Sequence, residues 1–205
     1  MSLTAVDWSL IPAPADDGMA DHLEGMKLPS VCLSATNGAA VMLADLRGLV
    51  VIYVYPMTGR PDRALPEGWD DIPGARGCTP QSCAFRDHHA ELRNLGVAGL
   101  FGVSTQTTAY QTEAATRLHL PFPLLSDAQR SLGNALNLPG IAVEGQHLHK
   151  RLTMIIKDGV IAKTFYPIFP PDQDAGTVIA WLRKDAEDRA SAPETLTPRS
   201  KPASL

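Results

Sequence analysis

The sequence has little that would tie it to nucleic acid or to a membrane. Its 18 Lys and Arg are outnumbered by 22 Asp and Glu, and they form no basic stripe of the kind a phosphate backbone requires. The longest apolar run, Leu49 to Tyr55, falls far short of the roughly 20 residues that cross a bilayer. Met1 to Pro14 carries neither the basic start nor the apolar centre of a secretory signal, so the expected location is cytoplasmic. Cysteine is scarce. Three residues are too few, and too odd in number, for a framework of structural disulfides. In a reducing compartment a close pair among them suits catalysis or metal binding better. No segment repeats at a fixed period. What remains is the balance of apolar and charged residues of one soluble globular domain.

Along the chain, residues 1–27 mix Asp, Ala and Pro without a period and read as an arm or lid. Leu28 to Leu46 reads as two short strands joined at Asn37-Gly38, a hairpin turn pair. Leu49 to Tyr55 is nearly continuous in β-branched and aromatic residues, as in a strand buried on both faces. Met57 to Gly77, with Pro61, Pro66 and Pro73, is a long loop, and loops of that length in compact domains are usually functional. Thr79-Pro80 reads as a helix start, with Ala84, Phe85, His88, Leu92 and Leu95 at helical spacing and Gly96 as the stop. Strands at Val97–Ser104, Phe122–Leu125, Arg151–Lys157 and Val160–Tyr166 alternate with helices at Thr107–Leu118, Asp127–Leu136 and Asp172–Glu187. The expectation is an α/β domain over residues 28–187, with a mixed sheet and a disordered tail at 188–205.

Cys78 follows a glycine at a loop-to-helix junction. A helix N-terminus presents unpaired N–H groups and partial positive charge, which favour a thiolate. Arg76 and Arg86 are near in sequence and add to that field. A thiolate attacks a peroxide oxygen to give a sulfenic acid, and a second thiol then condenses with it to a disulfide. Cys83 stands five residues on. In one regular helix the two Cα atoms lie roughly 8–9 Å apart on different faces, while a disulfide needs them within about 7 Å. The pair therefore closes only if the first turns of the helix unwind, which helix ends do at low cost.

Other readings compete. Cys78, Cys83, His88 and His89 are a conceivable zinc set. But adjacent histidines point to different sides of a helix, and so do the two cysteines; His88 is read instead as core-facing and His89 as solvated. Cys32, between Val31 and Leu33, reads as a buried small hydrophobe. A thiol–disulfide oxidoreductase would normally carry Cys-x-x-Cys. A non-enzymatic redox sensor would use the same pair as a peroxidase.

Val51-Ile52-Tyr53-Val54-Tyr55-Pro56, followed by Gly77-Cys78-Thr79-Pro80-Gln81-Ser82-Cys83-Ala84-Phe85-Arg86-Asp87, resembles the peroxiredoxin family, most closely its bacterioferritin-comigratory or Q-type branch. The resemblance continues through Gly102-Val103-Ser104, Leu120 to Asp127 and Arg151 to Gly159, in family order. It implies a thioredoxin fold, with a central mixed sheet flanked by helices and an N-terminal hairpin. It implies thiol-dependent reduction of hydrogen peroxide or organic hydroperoxides, with Cys78 peroxidatic and Cys83 resolving in the same helix. Arg151 matches the family arginine that steadies thiolate and peroxide, a task suited to a permanently charged multiple donor. No cofactor is implied. The expected partners are the peroxide and a thioredoxin- or glutaredoxin-like reductant, and the chain is expected to be a monomer or homodimer.

The sequence also departs from the family. Where a Thr or Ser hydroxyl usually stands three residues before the peroxidatic cysteine, Ala75 stands here, and the loop 57–77 looks like an insertion of about fifteen residues. Thr58 is the candidate to fold back and supply the hydroxyl, with the backbone N–H groups of Gly77 and Cys78 as the alternative. Trp69 either covers the pocket or packs beneath the loop.

Overall fold

In the computed structural model, which describes residues 6–191, nine strands and five α-helices run along the chain. In chain order they are β1 (Cys32–Ala35), β2 (Ala40–Met42), β3 (Leu49–Val54), α1 (Cys78–Asp87), α2 (His89–Asn94), β4 (Val97–Ser104), α3 (Thr108–Arg117), β5 (Leu124–Ser126) and α4 (Ser131–Leu136). Then come β6 (Gly140–Val143), β7 (Gln146–His149), β8 (Leu152–Lys157), β9 (Val160–Phe165) and α5 (Asp174–Ser191). Seven strands form one sheet in the order β2-β1-β5-β4-β3-β8-β9, and β6 pairs only with β7. β3, β4 and β5 are parallel, while both flanks are antiparallel, so the sheet is mixed as expected.

The central strand explains the layering. Successive side chains of a strand point to opposite faces. Val50, Ile52 and Val54 join a core with Leu132 and Leu136 of α4. Val51, Tyr53 and Tyr55 join a second core with Phe85 of α1, Leu92 of α2, Ala114 of α3 and Val178 of α5. A run that is apolar at every position is thus what a strand covered on both sides requires. Residues 1–27 were expected to be an arm. From Ala20 onward the described part lies on the first core, with Leu23 fully buried, and it bonds the β9 edge through Gly25 N to Ile161 O at 2.8 Å. That contact covers an otherwise open strand edge.

Several expectations change. The helix read from Thr79 to Leu95 is two helices, divided at His88 (φ −94°, ψ 6°). The hairpin β6–β7 had no counterpart in the sequence reading. Its turn is Glu144-Gly145, both at positive φ (46° and 75°), a conformation that Asn-Gly announces more plainly than Glu-Gly. α5 runs on through Ser191, so residues 188–191 are helix and not tail, and 192–205 lie outside the described residues. Cys32 is exposed: β1 turns Leu33 and Ala35 inward, and the period of two sends Cys32 and Ser34 out.

Candidate active site

α1 starts two residues earlier than Thr79 as cap and Pro80 as first helical residue suggested. Gly77 is its N-cap at φ 106°, a conformation that favours glycine. A side chain there would also collide: an added Cβ would lie 2.5 Å from Pro171 Cγ and 2.9 Å from a ring carbon of Trp8. Cys78 is therefore the first helical residue, and Pro80 falls in the first turn, where its missing N–H leaves no bond unmade.

Cys78 is buried, and so is Arg151, which lies just before β8. Arg151 Nη2 donates to Cys78 Sγ at 3.2 Å. The same nitrogen contacts the carbonyls of Gly74 (3.3 Å), Ala75 (3.3 Å) and Arg76 (3.1 Å), which gathers the end of the loop around the guanidinium. Nη1 donates to Gln81 Oε1. The amide of Gln81 donates in turn through Nε2 to Asp174 Oδ2 at 2.7 Å, and Thr153 Oγ1 donates to the same oxygen at 2.8 Å. Asp174 opens α5 and is fully enclosed. Burial pushes its carboxyl up from 3.8 to about 6, against the pull of Gln81, Thr153 and Arg151. Among the described residues Arg151 Nε and Asp174 Oδ1 are buried with no hydrogen-bond partner. The sequence reading missed Gln81, Thr153 and Asp174. They come from α1, β8 and α5, and no local pattern links residues 93 positions apart.

Cys83 is half-buried on the same helix, as a free thiol, and desolvation pushes its thiol up while Arg86 draws it back. Arg86 thus sits by Cys83 and also pairs with Asp87 at 2.8 Å. Arg76 pairs with exposed Asp70 at 2.9 Å. Neither cation points its charge at Cys78, and Arg151 fills that position alone among the described contacts to the sulfur. Neither histidine takes its expected place, because the break at His88 resets the helical phase and leaves both partly exposed. His88 lies outward against Glu91 at 3.0 Å with 45% of its side chain exposed, and His89 lies against Phe122 at 6.0 Å. Among the described residues no group of three or more His, Cys, Asp and Glu is placed to hold a metal ion.

Thr58 does not serve Cys78 in this structure. It is fully buried, but its Oγ1 donates to Gln106 Oε1 at 3.0 Å, and its backbone N–H donates to the same oxygen at 3.0 Å. The path of the loop accounts for this. Trp69 and Ala75 pack with Val143 and Leu148 of the β6–β7 hairpin, so Trp69 packs beneath the loop and does not roof the sulfur. A cavity of about 320 Å³ opens beside Arg151, walled mainly by Pro14, Pro56, Ile72, Ile141 and Pro167.

Comparison with known proteins bears on this arrangement. A family model described as Redoxin matches residues 23–179. A protein named peroxiredoxin Q, chloroplastic, from Oryza sativa subsp. japonica is 29% identical over 161 residues, which are 78% of this chain and 66% of that protein. The chain thus spans slightly under two thirds of the length of this curated relative. The crystal structure of peroxidoxin BcpB from Mycobacterium tuberculosis superposes with a TM-score of 0.63 at 25% identity, over 78% of this chain and 96% of that one. The bacterioferritin comigratory protein of Xanthomonas campestris matches with a TM-score of 0.60 at 20% identity, over 86% of this chain and 99% of that one, a likeness of fold. The architecture is thus the thioredoxin fold of these neighbours, with Cys78, Cys83 and Arg151 inside the matched span.

Proposed function

Since the chain belongs to the Redoxin family, with both α1 cysteines inside the matched residues, we propose that it is a thiol peroxidase that uses Cys78 as peroxidatic and Cys83 as resolving residue. The observation that carries this reading is Arg151 Nη2 donating to Cys78 Sγ at 3.2 Å at the first turn of a helix. Guanidinium and helix terminus both favour negative charge on that sulfur. The sulfur attacks the terminal peroxide oxygen; an S–O bond forms, the O–O bond breaks, and the departing alkoxide or hydroxide takes a proton. Arg151 Nε, a buried donor with no partner among the described residues, suits the oxygen that gains charge. It offers a substitute for the hydroxyl that Ala75 lacks.

The sulfenic acid then condenses with the Cys83 thiol: an S–S bond forms and water leaves. Both cysteines lie in α1, so the helix unwinds at its start for the bridge to close. A dithiol reductant of thioredoxin- or glutaredoxin-like chemistry supplies the two electrons that restore the thiols. The apolar walls of the cavity beside Arg151 suit the body of an organic hydroperoxide as well as hydrogen peroxide. The catalytic domain is taken as residues 28–191, with 6–27 an arm upon it. The cytoplasm is the proposed location, and monomer or homodimer the proposed state; no helix among the described residues is long and apolar enough to cross a membrane.

One equivalent of hydrogen peroxide is expected to consume two of the three thiols. Peptide mapping then finds a Cys78–Cys83 bridge, and Cys78→Ser abolishes both results. A bridge through Cys32 overturns the pairing, and a reduced protein that ignores peroxide overturns the activity.

A further inference from the structure

We propose that Asp174 is a positioning residue for peroxide reduction: it orients the Gln81 amide, which in turn aims Arg151 at Cys78. The inference rests on the peroxidase reading above. An amide has a donor end and an acceptor end, and which faces where is set by its partners. An ionised carboxylate accepts only. Asp174 Oδ2, 2.7 Å from Gln81 Nε2, therefore fixes the NH2 end toward α5 and leaves Oε1 toward Arg151 Nη1. The opposite orientation would set two donors, amide and guanidinium, against each other. Thr153 Oγ1, 2.8 Å from the same carboxylate oxygen, steadies the arrangement from β8. With Gln81 holding one guanidinium nitrogen, the other remains free to reach Cys78 Sγ and three loop carbonyls.

Protonation would undo this control. Asp174 Oδ1 is buried without a partner among the described residues, so a proton has an open place to sit. A protonated carboxyl can donate, and the Gln81 amide then loses its fixed sense. The groups facing Asp174 are Gln81 from α1, Thr153 and Arg151 from β8 and the residue before it, and Tyr53 from β3. Burial holds Tyr53 protonated, and its hydroxyl donates to Ser82 at 3.1 Å. Lys163, which lines the groove beside Asp174, is paired with Glu24 at 2.6 Å, and Asp172 accepts from Trp8 at 2.8 Å. Arg151 is thus the charge that faces Asp174, and the carboxyl titrates near 6. Above that pH the network is set, and below it the network relaxes.

The test is the second-order rate constant for hydrogen peroxide, measured by stopped flow on the full chain from pH 5 to 8. At pH 7.5, Asp174→Leu should slow the reaction about tenfold, the scale of one misplaced charged contact. Asp174→Asn, which like the protonated acid can donate as well as accept, should run at every pH near the slowed rate that wild type shows below pH 6. Wild type should lose rate through a step near pH 6 that Asp174→Asn lacks. In an Arg151→Met background, Asp174→Leu should slow nothing further, because the route through Arg151 is already gone. An Asp174→Leu protein within twofold of wild type, an unchanged pH profile in Asp174→Asn, or full additivity with Arg151→Met overturns the proposal. Should Asp174→Leu fail to fold, the Asp174→Asn profile decides alone. If wild type itself does not react, the peroxidase reading fails instead.

Discussion

Two buried polar clusters sit at helix starts in this fold, and they are built from similar parts. At α4, Asp127 accepts the backbone N–H groups of Leu132 (3.0 Å) and Gly133 (2.9 Å), and it pairs with buried His149 at 2.8 Å. Neither side chain has a polar atom among the buried unpartnered ones. At α1, a carboxylate, an amide, a hydroxyl, a guanidinium and a thiol meet, yet Arg151 Nε and Asp174 Oδ1 are left without partners among the described residues. A buried unpaired polar group costs about 1–3 kcal/mol, and native proteins rarely keep one without a reason. The closed cluster fixes a helix to its sheet. The open one opens on a cavity through Arg151 and holds the sulfur proposed as the nucleophile. On the proposed function, spare hydrogen-bonding capacity is what separates the reacting cluster from the structural one.

The sharpest way to break this comparison is to remove the guanidinium. Arg151→Met should slow peroxide consumption by about an order of magnitude or more, the scale of one lost charged contact to a reacting atom. Fold is checked by circular dichroism. An unchanged rate would strip the α1 cluster of its chemical role and make the two clusters equivalent. The matching change at α4 should act on stability alone. Asp127→Ala leaves two helix N–H groups and His149 without their acceptor, and should cost about 3 kcal/mol in denaturant unfolding. The folded fraction should still react with peroxide within about threefold of wild type. A rate loss beyond that, at equal folded fraction, would tie the two clusters together.

The difference between the clusters was only partly legible in the sequence. Cys78 and Cys83 stood out on local chemistry, a glycine, a helix start and a second thiol five residues on, while Arg151 entered only through the resemblance to the peroxiredoxin family. The strand at Leu49 to Tyr55 and the turn at Asn37-Gly38 could be read from local pattern too. Asp174 could not, since its burial depends on α1, β8 and α5 meeting. Cys32 and the two histidines show the limit of neighbour-based reading. A strand register turned Cys32 outward, and the break at His88 leaves both histidines partly exposed. The β6–β7 hairpin escaped notice as well, and it is what Trp69 packs on, so the course of the 57–77 loop was hidden too.

That hidden course decides the smallest prediction, at Thr58. The residue was a candidate because a hydroxyl is missing at Ala75, and it is indeed buried, at the start of the loop after β3. Its hydroxyl, however, is one of three donors to Gln106 Oε1, beside the Thr58 N–H and Ser104 Oγ at 3.4 Å, and Gln106 Nε2 returns a bond to Thr58 O at 3.1 Å. Thr58→Val is nearly the same shape and removes one bond from an acceptor that keeps the Thr58 N–H. Its cost should be about 1 kcal/mol in unfolding free energy, with the peroxide rate constant within twofold of wild type. A tenfold slowing at unchanged stability would mean that the hydroxyl leaves Gln106 for the reacting oxygen once peroxide is bound. The α1 cluster would then have a member that the resting structure keeps with Gln106.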